Sequence, residues 1–417
     1  MDNIKIFSSS PIGKVKIPSS KSDAHRKIIA ASMSFGQTSV IYGVDISNDI
    51  EMTINAMKHF ADIQINGHTL TIKSKKPIKK YVEFDAFESA STLRFLIPVF
   101  AHFFEETKIY AQKALLNRPL DVYKEIYGDC LIICDDYILI KHKIIDKNLT
   151  IKGNVSSQFI SGFLFLLPHL KDEVKIQVLE PYESKSYVDL TISVLKEFKV
   201  EVEQINNIYF ISNKCNYMAC KTHVESDFSQ LAFFATLGVI NSTVEVEVQN
   251  KKSLQGDLKI IDFIKLFNGK VIETNTGYIF KKSKLKGVSI SLKDNPDLGP
   301  ILFVMAVFSK GKTCFYDTER LRIKESDRIQ SMKEEFAKFN LELIDLDNEV
   351  IIYNQTPCDS CDIISSHNDH RVLMSLVILS TLLKETKFEN IKCINKSYPK
   401  FFEDLFSLNI KGEYYED

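Results

Sequence analysis

The chain of 417 residues carries 53 lysine and arginine residues against 54 aspartate and glutamate residues, so its formal net charge is −1. A nearly neutral chain lacks the broad positive field that binds nucleic acid or an anionic membrane surface. The length favours two domains, because a single hydrophobic core stops growing at roughly 250–300 residues. Apolar stretches such as 159–167 and 301–308 are too short to span a bilayer, and residues 1–15 have no apolar signal-peptide core. We therefore expect a cytoplasmic protein.

Eight cysteines in a chain of this length favour free thiols in a reducing compartment. Cys358 and Cys361 form the only C-x-x-C pair, and no second pair lies at zinc spacing, so a surface loop with two thiols is the favoured interpretation. His25 and His370 also lack the spacing of a metal site. The sequence predicts no metal.

Six polar clusters, each followed by an apolar run of helical length, recur at intervals of 67 to 72 residues. They read KSDAHR at 21–26, ESASTLR at 88–94, VSSQ at 155–158, ESDFSQ at 225–230, NPDLG at 295–299 and NDHR at 368–371. A fixed long period indicates repeated supersecondary units. Each cluster has Ser or Asp where a helix N-cap is expected, and the free N–H groups of a helix N-terminus attract anions. A cap is thus expected in each cluster, and Ser22, Ser89, Ser156, Asp227, Asp297 and Asp369 mark the six repeats.

Between these clusters, alternating or β-branched segments predict strands, and amphipathic segments predict a second helix in each unit. The predicted strands are 37–42, 149–151, 174–178, 243–248, 288–292 and 312–316, and the clearest second helices are 185–198 and 327–339. Six units over two domains give three units per domain. Cationic residues near the helix starts predict a small, densely anionic ligand, since a planar guanidinium matches carboxylate or phosphate groups.

The densest group of ionisable residues is LRIKESDR at 321–328. Two cations and two carboxylates lie within five positions here: Lys324, Glu325, Asp327 and Arg328. Such crowding separates the pKa values of the groups, so that one site can hold both an acid and a base. For an arbitrary segment of this type, a solvated, salt-bridged helix face is the favoured interpretation. The repeat pattern favours a functional site here. The chain has no P-loop, no G-x-G-x-x-G after a strand and no G-x-S-x-G.

Taken in order over the whole chain, these motifs resemble those of the enolpyruvyl transferases, and within them the EPSP synthase family. The matching segments are PSSKSDAHR at 18–26, STLR at 91–94, NRP at 117–119, VSSQF at 155–159, SKSYVDLT at 184–191, VESDFS at 224–229, NPDLGP at 295–300, RIKESDR at 322–328, NDHR at 368–371 and NKSYP at 395–399.

The resemblance implies an α/β fold of two domains, arranged as an inside-out α/β barrel with three βαβαββ-like units per domain. The expected domains are 18–225 and 1–17 plus 226–417, with the active site in the interdomain cleft. It implies transfer of the enolpyruvyl group of phosphoenolpyruvate to the 5-hydroxyl of shikimate 3-phosphate, on the shikimate pathway to chorismate and the aromatic amino acids. No cofactor or metal is needed, and we expect a monomer without nucleic-acid or membrane partners.

Roles are carried over motif by motif. The resemblance implies catalytic roles for Asp297, Lys324, Glu325 and Lys21. It implies that shikimate 3-phosphate is bound by Lys21, Ser22, Arg26, Ser156, Ser157, Gln158, Ser184, Tyr187, Asp297 and Lys324. It implies that phosphoenolpyruvate is bound by Lys21, Arg94, Arg118, Gln158, Arg328, His370, Arg371 and Lys396. In the family the equivalent of Asp297 takes the 5-hydroxyl proton, and that of Glu325 protonates the methylene carbon.

Four positions depart from the family pattern: Glu88, Ala90, Phe95 and Arg320. Ala90 stands where the family has a glycine close to the phosphoenolpyruvate pocket, so we expect weak inhibition by glyphosate, which competes for that pocket. Two alternatives stay open. One is UDP-N-acetylglucosamine 1-carboxyvinyltransferase, although the loop at 113–119 lacks the cysteine of that enzyme. The other is a catalytically inactive anion-binding relative.

Overall fold

The computed structural model describes residues 2–170, 173–211 and 216–416. The chain forms two compact units. The continuous unit is Ser19–Glu225, and the discontinuous unit combines Met1–Pro18 with Ser226–Asp417. Each unit has its own hydrophobic core.

The α-helices of the described residues, in chain order, are α1 Lys21–Ser32, α2 Asn48–Met57, α3 Ala90–Phe103, α4 Lys113–Leu116, α5 Asp121–Tyr127, α6 Ser157–Leu166, α7 Lys185–Glu197, α8 Phe228–Ile240, α9 Ile260–Leu266, α10 Gly299–Val307, α11 Arg328–Lys338, α12 His370–Ser380 and α13 Phe401–Ser407.

The strands are β1 Asn3–Phe7, β2 Lys14–Lys16, β3 Thr38–Tyr42, β4 Ala61–Asn66, β5 Thr69–Ser74, β6 Tyr81–Asp85, β7 Glu106–Tyr110, β8 Leu131–Ile133, β9 Tyr137–Lys141, β10 Asn148–Lys152, β11 Lys175–Leu179, β12 Glu203–Ile205, β13 Ile208–Phe210, β14 Lys221–His223, β15 Val244–Glu247, β16 Lys270–Glu273, β17 Gly277–Lys281, β18 Ser289–Ser291, β19 Lys312–Tyr316, β20 Ile344–Leu346, β21 Glu349–Tyr353, β22 Ile363–Ser365, β23 Glu385–Glu389 and β24 Lys411–Tyr415.

Six four-stranded sheets are built from these strands, three in each unit, and all six share one arrangement of a parallel pair followed by two antiparallel neighbours. In one of them β6 and β7 are parallel, β9 is antiparallel to β7, and β8 closes the far edge. Helix α3 connects the parallel pair, as a parallel crossover requires, and α5 precedes β8. This order, strand–helix–strand–helix–strand–strand, is the predicted βαβαββ unit, and the predicted α/β fold class is confirmed.

At the two points where the chain passes from one unit to the other, the strand before the helix does not join the sheet that follows that helix. Strand β2 precedes α1 but pairs with β15, and β14 precedes α8 but pairs with β3. Within the continuous unit the Ser20 amide donates to the Glu225 carbonyl at 2.7 Å. Within the discontinuous unit the Asp227 amide donates to the Pro18 carbonyl at 2.9 Å. Each unit therefore ties its own two chain ends together.

Local sequence explains the elements. In β5, Leu70 and Ile72 are buried and alternate with more exposed residues, as a strand with one face on a core requires. Helices α8 and α10 have no polar face, and they are buried along their whole length. The six predicted strands all match observed strands to within one residue at either end.

Four of the six predicted helix caps are confirmed, because the side chains of Ser89, Ser156, Asp227 and Asp369 each accept a backbone N–H of the helix that follows. The prediction of a cap within KSDAHR was wrong: Ser20, directly before it, caps α1 by accepting from the Asp23 amide, and Ser22 lies inside the helix.

The prediction of a side-chain cap within NPDLG was also wrong. Asp297 lies in a 3₁₀ turn, Pro296–Leu298, that leads into α10. Proline at the first position of this turn has a fixed φ and no N–H to satisfy, so the turn forms without a side-chain cap. The carboxylate of Asp297 is left to interact with other side chains.

No helix of the described residues is long and apolar enough to cross a bilayer. Seven described cysteines are free, and Cys358 and Cys361 are both exposed.

Candidate active site

In the discontinuous unit the Asp297 carboxylate is surrounded by three cations. Arg328 Nη1 donates to Oδ1 at 2.7 Å, and Lys324 Nζ lies 3.3 Å from the same oxygen. Arg371 Nη2 donates to Oδ2 at 3.2 Å, and its Nη1 donates to the Asp297 carbonyl at 3.4 Å. Cations from two segments of the chain, 324–328 and 371, therefore meet at one carboxylate.

Three helix starts bring this cluster together. Asp297 lies in the turn that leads into α10, Arg328 is the first residue of α11 with Lys324 four residues before it, and Arg371 lies in the first turn of α12. Helix α10 packs against both α11 and α12. The Asp297 carboxylate and its cations are thus fixed by helix packing as well as by their charges.

The charges in this cluster change its protonation. Burial opposes ionisation of Asp297, but Arg371, Lys324 and Arg328 outweigh it and hold the pKa of this carboxyl well below its usual value. Burial lowers the pKa of Lys324 to about 8, although Asp297 works in the opposite direction. Without ligand, Asp297 is therefore ionised at neutral pH, and Lys324 loses its proton more readily than an exposed lysine does.

Arg328 is buried between two carboxylates. Its Nε donates to Asp369 Oδ2 at 2.8 Å, and its Nη2 approaches Oδ1 of the same residue at 3.4 Å. Asp369 is fully buried and accepts the Arg371 amide at 2.9 Å as the cap of α12. Burial works against ionisation of Asp369, yet Arg328 keeps its pKa below the usual value. Asp369 thus links two predicted site residues.

Glu325 joins a second set of contacts beside this cluster. Its Oε2 lies 2.8 Å from His370 Nδ1, and its Oε1 lies 3.5 Å from Lys396 Nζ. Burial opposes ionisation, but His370 and Lys396 hold the pKa of Glu325 well below its usual value. Oxygen and nitrogen atoms of Glu325, Asp369 and His370 lie within 4.8 Å of one another. Because Arg328 and Lys396 already neutralise these carboxylates, this set disfavours a metal ion.

A buried carboxyl group, Asp257, supports the turn that carries Asp297. Ser229 Oγ donates to one of its oxygens, and Asn295 Nδ2 donates to the other at 3.3 Å. Burial and the nearby charge of Asp297 raise the pKa of Asp257. No sequence motif indicated this residue, because its partners lie 28 and 38 positions away.

In the continuous unit, Arg26 joins α1 to α7. It is 2% exposed. Its Nε donates to Thr191 Oγ1 at 2.8 Å, Nη1 to the Ser22 carbonyl at 2.6 Å, and Nη2 to the Tyr187 carbonyl at 3.1 Å. The guanidinium lies 4.9 Å from the centroid of the Phe95 ring, so the departure at position 95 provides an aromatic face for this cation. Burial lowers the pKa of Arg26 to about 10.

Arg94 joins α3 to α6 in the same unit. Its Nη1 donates to Gln158 Oε1 at 3.1 Å, and its Nη2 donates to the Pro119 carbonyl at 3.2 Å. Gln158 Nε2 donates in turn to Ser91 Oγ at 3.0 Å. The neighbouring Arg118 has a buried Nε without a hydrogen-bond partner among the described residues.

The remaining predicted residues of the continuous unit lie at helix starts. Lys21 opens α1, and its Nζ donates to Asp49 Oδ2 at 2.7 Å. Ser156 and Ser157 lie at the start of α6, where the Ser156 side chain accepts the Gln158 amide. Ser184 precedes α7 in a left-handed conformation with φ of 52°, and Tyr187 lies in the first turn of α7.

The predicted site residues thus divide between the two units. The continuous unit holds Lys21, Ser22, Arg26, Arg94, Arg118, Ser156, Ser157, Gln158, Ser184 and Tyr187, and the discontinuous unit holds Asp297, Lys324, Glu325, Arg328, His370, Arg371 and Lys396. Sequence reasoning missed Asp49, Asp257 and Asp369 as partners of these residues. Of these three, only Asp369 could have been found from the sequence, because it directly precedes the predicted site residues His370 and Arg371.

Comparisons with known proteins agree with the fold and the motifs. The family model described as EPSP synthase (3-phosphoshikimate 1-carboxyvinyltransferase) matches residues 9–405. A 3-phosphoshikimate 1-carboxyvinyltransferase of Clostridium novyi is 38% identical over 425 residues, covering 97% of each chain. One of Brachyspira hyodysenteriae is 35% identical over 416 residues, covering 98% of this chain and 99% of its own.

Two solved structures share the fold. An EPSP synthase from Acinetobacter baumannii aligns with a TM-score of 0.78 at 21% identity and covers 99% of this chain and 100% of its own. The enolpyruvyl transferase NikO from Streptomyces tendae aligns with a TM-score of 0.77 at 13% identity, covering 99% of this chain and 98% of its own. At these identities the likeness concerns the fold alone.

Proposed function

Because the chain belongs to the EPSP synthase (3-phosphoshikimate 1-carboxyvinyltransferase) family, we propose that it transfers the enolpyruvyl group of phosphoenolpyruvate to the 5-hydroxyl of shikimate 3-phosphate. The second product is inorganic phosphate. The observation that carries this proposal is the ionised Asp297 carboxylate held by Lys324, Arg328 and Arg371. Such a cluster combines a base with the positive charge that an anionic substrate requires.

In the addition step, Asp297 accepts the proton of the 5-hydroxyl group while the oxygen bonds to C2 of phosphoenolpyruvate. The methylene carbon C3 takes a proton, which we assign to Glu325, and becomes a methyl group. His370 Nδ1 lies 2.8 Å from this carboxylate. Substrate anions that share Lys396 weaken its hold on Glu325, so the pKa of Glu325 rises towards a value at which it carries that proton. The result is a tetrahedral ketal that retains its carboxylate and phosphate groups.

In the elimination step, the C2–O bond to phosphate breaks and the methyl group returns a proton to the Glu325 carboxylate, which restores the double bond. The departing phosphate gains negative charge, and Lys324, Arg328 and Arg371 are the cations we assign to stabilise it. Substrate anions that share these cations weaken their hold on Asp297, so its pKa rises towards a value suited to a base. The carboxylate thus becomes a better base once substrate is bound.

The other predicted residues have binding roles in this proposal. Shikimate 3-phosphate is held by the serines, Arg26, Gln158 and Tyr187 of the continuous unit, together with Lys21, Asp297 and Lys324. Phosphoenolpyruvate is held by Lys21, Arg94, Arg118, Gln158, Arg328, His370, Arg371 and Lys396. We propose that no cofactor takes part and that the enzyme acts as a cytoplasmic monomer.

Phosphate release from phosphoenolpyruvate tests the proposal. Purified protein is mixed with phosphoenolpyruvate and either shikimate 3-phosphate or UDP-N-acetylglucosamine. We expect release with shikimate 3-phosphate only, and its loss in Lys324→Met. Release with the sugar nucleotide instead would assign the chain to the sister activity, and the absence of release with both acceptors would contradict the proposed reaction.

A further inference from the structure

Two successive residues directly ahead of Asp369 have left-handed backbone conformations. The φ of His367 is 49° and that of Asn368 is 52°. This region is unfavourable for every residue except glycine, and although asparagine tolerates it better than most, two such residues in a row are rare. Surrounding contacts must therefore hold this turn in place.

Glu335 of α11 makes those contacts. The Glu335 side chain is 2% exposed. Its Oε1 lies 2.9 Å from His367 Nε2, and its Oε2 accepts the Ser365 amide at 3.1 Å. Lys338 Nζ lies 2.9 Å from Oε2 and also donates to the Ile363 carbonyl at 2.9 Å. The carboxylate thus binds both the end of β22 and the side chain of the first left-handed residue.

The same helix holds the other side of the turn. Arg328 and Glu335 are seven residues apart, which places them two turns apart on one face of α11. Arg328 binds Asp369, and Glu335 binds Ser365 and His367. Helix α11 therefore binds the segment 365–369 on both sides of the two residues with left-handed backbone conformation.

This segment leads directly into site residues. Asp369 caps α12, His370 contacts Glu325, and Arg371 contacts Asp297. A change of φ at positions 367 and 368 would rotate the start of α12 and move all three side chains. Shifts of about 1 Å in groups that contact substrate reduce rates by up to about 100-fold.

We propose that Glu335 is a positioning residue of this enzyme: by fixing the left-handed turn at His367 and Asn368, it sets the placement of His370 and Arg371 for phosphoenolpyruvate. The inference rests on the proposed function for its kinetic consequence, but its structural part does not. The hydrogen bond to Glu335 raises the pKa of His367, which agrees with a contact that is charge-assisted when His367 is protonated.

The test compares Glu335→Gln with Glu334→Gln. The two glutamates are adjacent, but Glu334 is about half exposed and its Oε2 lies 3.9 Å from His367 Nε2. We expect Glu335→Gln to lower kcat/KM for phosphoenolpyruvate by roughly tenfold or more at a temperature where the protein is fully folded, and Glu334→Gln to change it by less than about twofold. Equal kinetics of Glu335→Gln and wild type would overturn the proposal, even if Glu335→Gln lowers Tm.

Glycine at position 368 provides a rescue experiment, because glycine adopts positive φ without strain. A double-mutant cycle combines Glu335→Gln and Asn368→Gly. It distinguishes an effect of the turn's backbone conformation from any other effect of replacing the Asn368 side chain. We expect Asn368→Gly to raise kcat/KM several-fold more in the Glu335→Gln background than in wild type. The same fold-change in both backgrounds would contradict a role for Glu335 in holding the turn.

Amide hydrogen exchange over residues 363–371 gives a readout that does not require turnover. We expect faster exchange in this segment in Glu335→Gln and in His367→Ala, which removes the contact from the opposite side, but not in Glu334→Gln. Unchanged exchange in both variants would overturn the structural part. If wild type releases no phosphate with shikimate 3-phosphate, the proposed function fails while this measurement still tests the turn.

Discussion

Two buried arginines, one in each unit, are held in opposite ways. In the discontinuous unit, Arg328 lies between Asp297 and Asp369, with N–O distances of 2.7 and 2.8 Å. In the continuous unit, Arg26 is equally buried but donates to two backbone carbonyls and a threonine hydroxyl. No carboxylate among the described residues forms an ion pair with Arg26. One unit neutralises its buried arginine internally, whereas the other leaves its arginine with a full positive charge.

The difference indicates a division of labour. A cation held by neutral oxygens keeps its attraction for an external anion, which suits a residue that binds substrate phosphate or carboxylate. A carboxylate held by several cations stays ionised and in a fixed orientation, which suits a group that moves a proton. We accordingly assign binding of shikimate 3-phosphate mainly to the continuous unit and proton transfer to the discontinuous unit.

Asp297→Ala is expected to have the largest effect. Loss of the base should reduce kcat by roughly 10³-fold, within the range for general acid–base groups. Steady-state phosphate release would measure this change. The control is Asp347→Asn, an exposed carboxylate of the same unit. A kcat within tenfold of wild type for Asp297→Ala would remove Asp297 from its assigned role.

Methionine at each buried arginine tests the contrast directly. Arg328→Met removes the arginine from the fully buried Asp369 and leaves Asp297 with one cation fewer, and should lower the free energy of unfolding by about 3–5 kcal/mol. Arg26→Met leaves no orphaned carboxylate and removes a desolvated charge, so the free energy of unfolding should change by less than about 1 kcal/mol. Urea denaturation of both variants measures the difference. Similar losses of stability would refute the contrast between the units.

The pH dependence of kcat/KM should show the loss of the proton from Lys324. Since burial lowers its pKa to about 8, Lys324 loses its charge as pH rises through 8, and kcat/KM should fall by about tenfold per pH unit above that value. Arg26, with a pKa of about 10, stays protonated across this range. Lys324→Arg should move the alkaline limb to higher pH. If the fall in kcat/KM near pH 8 persists in Lys324→Arg, the titrating group is not Lys324.

The smallest effect concerns selectivity in the continuous unit. Ala90 is the half-buried first residue of α3, directly after the cap Ser89. Ala90→Gly removes one methyl group and should lower the inhibition constant of glyphosate by roughly tenfold, since one carbon in a pocket changes discrimination by 10- to 200-fold. The KM for phosphoenolpyruvate should change less. Equal inhibition constants of glyphosate for wild type and Ala90→Gly would contradict a role of the Ala90 methyl group in selectivity.

The sequence predicted the repeat, the strands and four of six helix caps because these depend on local signals of period, burial and capping. It failed at the first and fifth clusters, where a serine before the cluster caps the helix and where a proline-led turn leads into it. Partners of the site residues were not predictable. Arg26 meets Thr191 across 165 positions, and Arg328 meets Asp369 across 41. A single sequence gives the residue types of a site, but tertiary packing decides which of them pair.

Calorimetric titration of shikimate 3-phosphate into wild type, Arg26→Met and Asp297→Ala tests the division of labour most directly. We predict that Arg26→Met weakens binding by about 100-fold, as expected for loss of charge-assisted hydrogen bonds. Asp297→Ala should bind within about fivefold of wild type despite its loss of turnover. Normal affinity in Arg26→Met, or loss of affinity confined to Asp297→Ala, would contradict the assignment of substrate binding to the continuous unit.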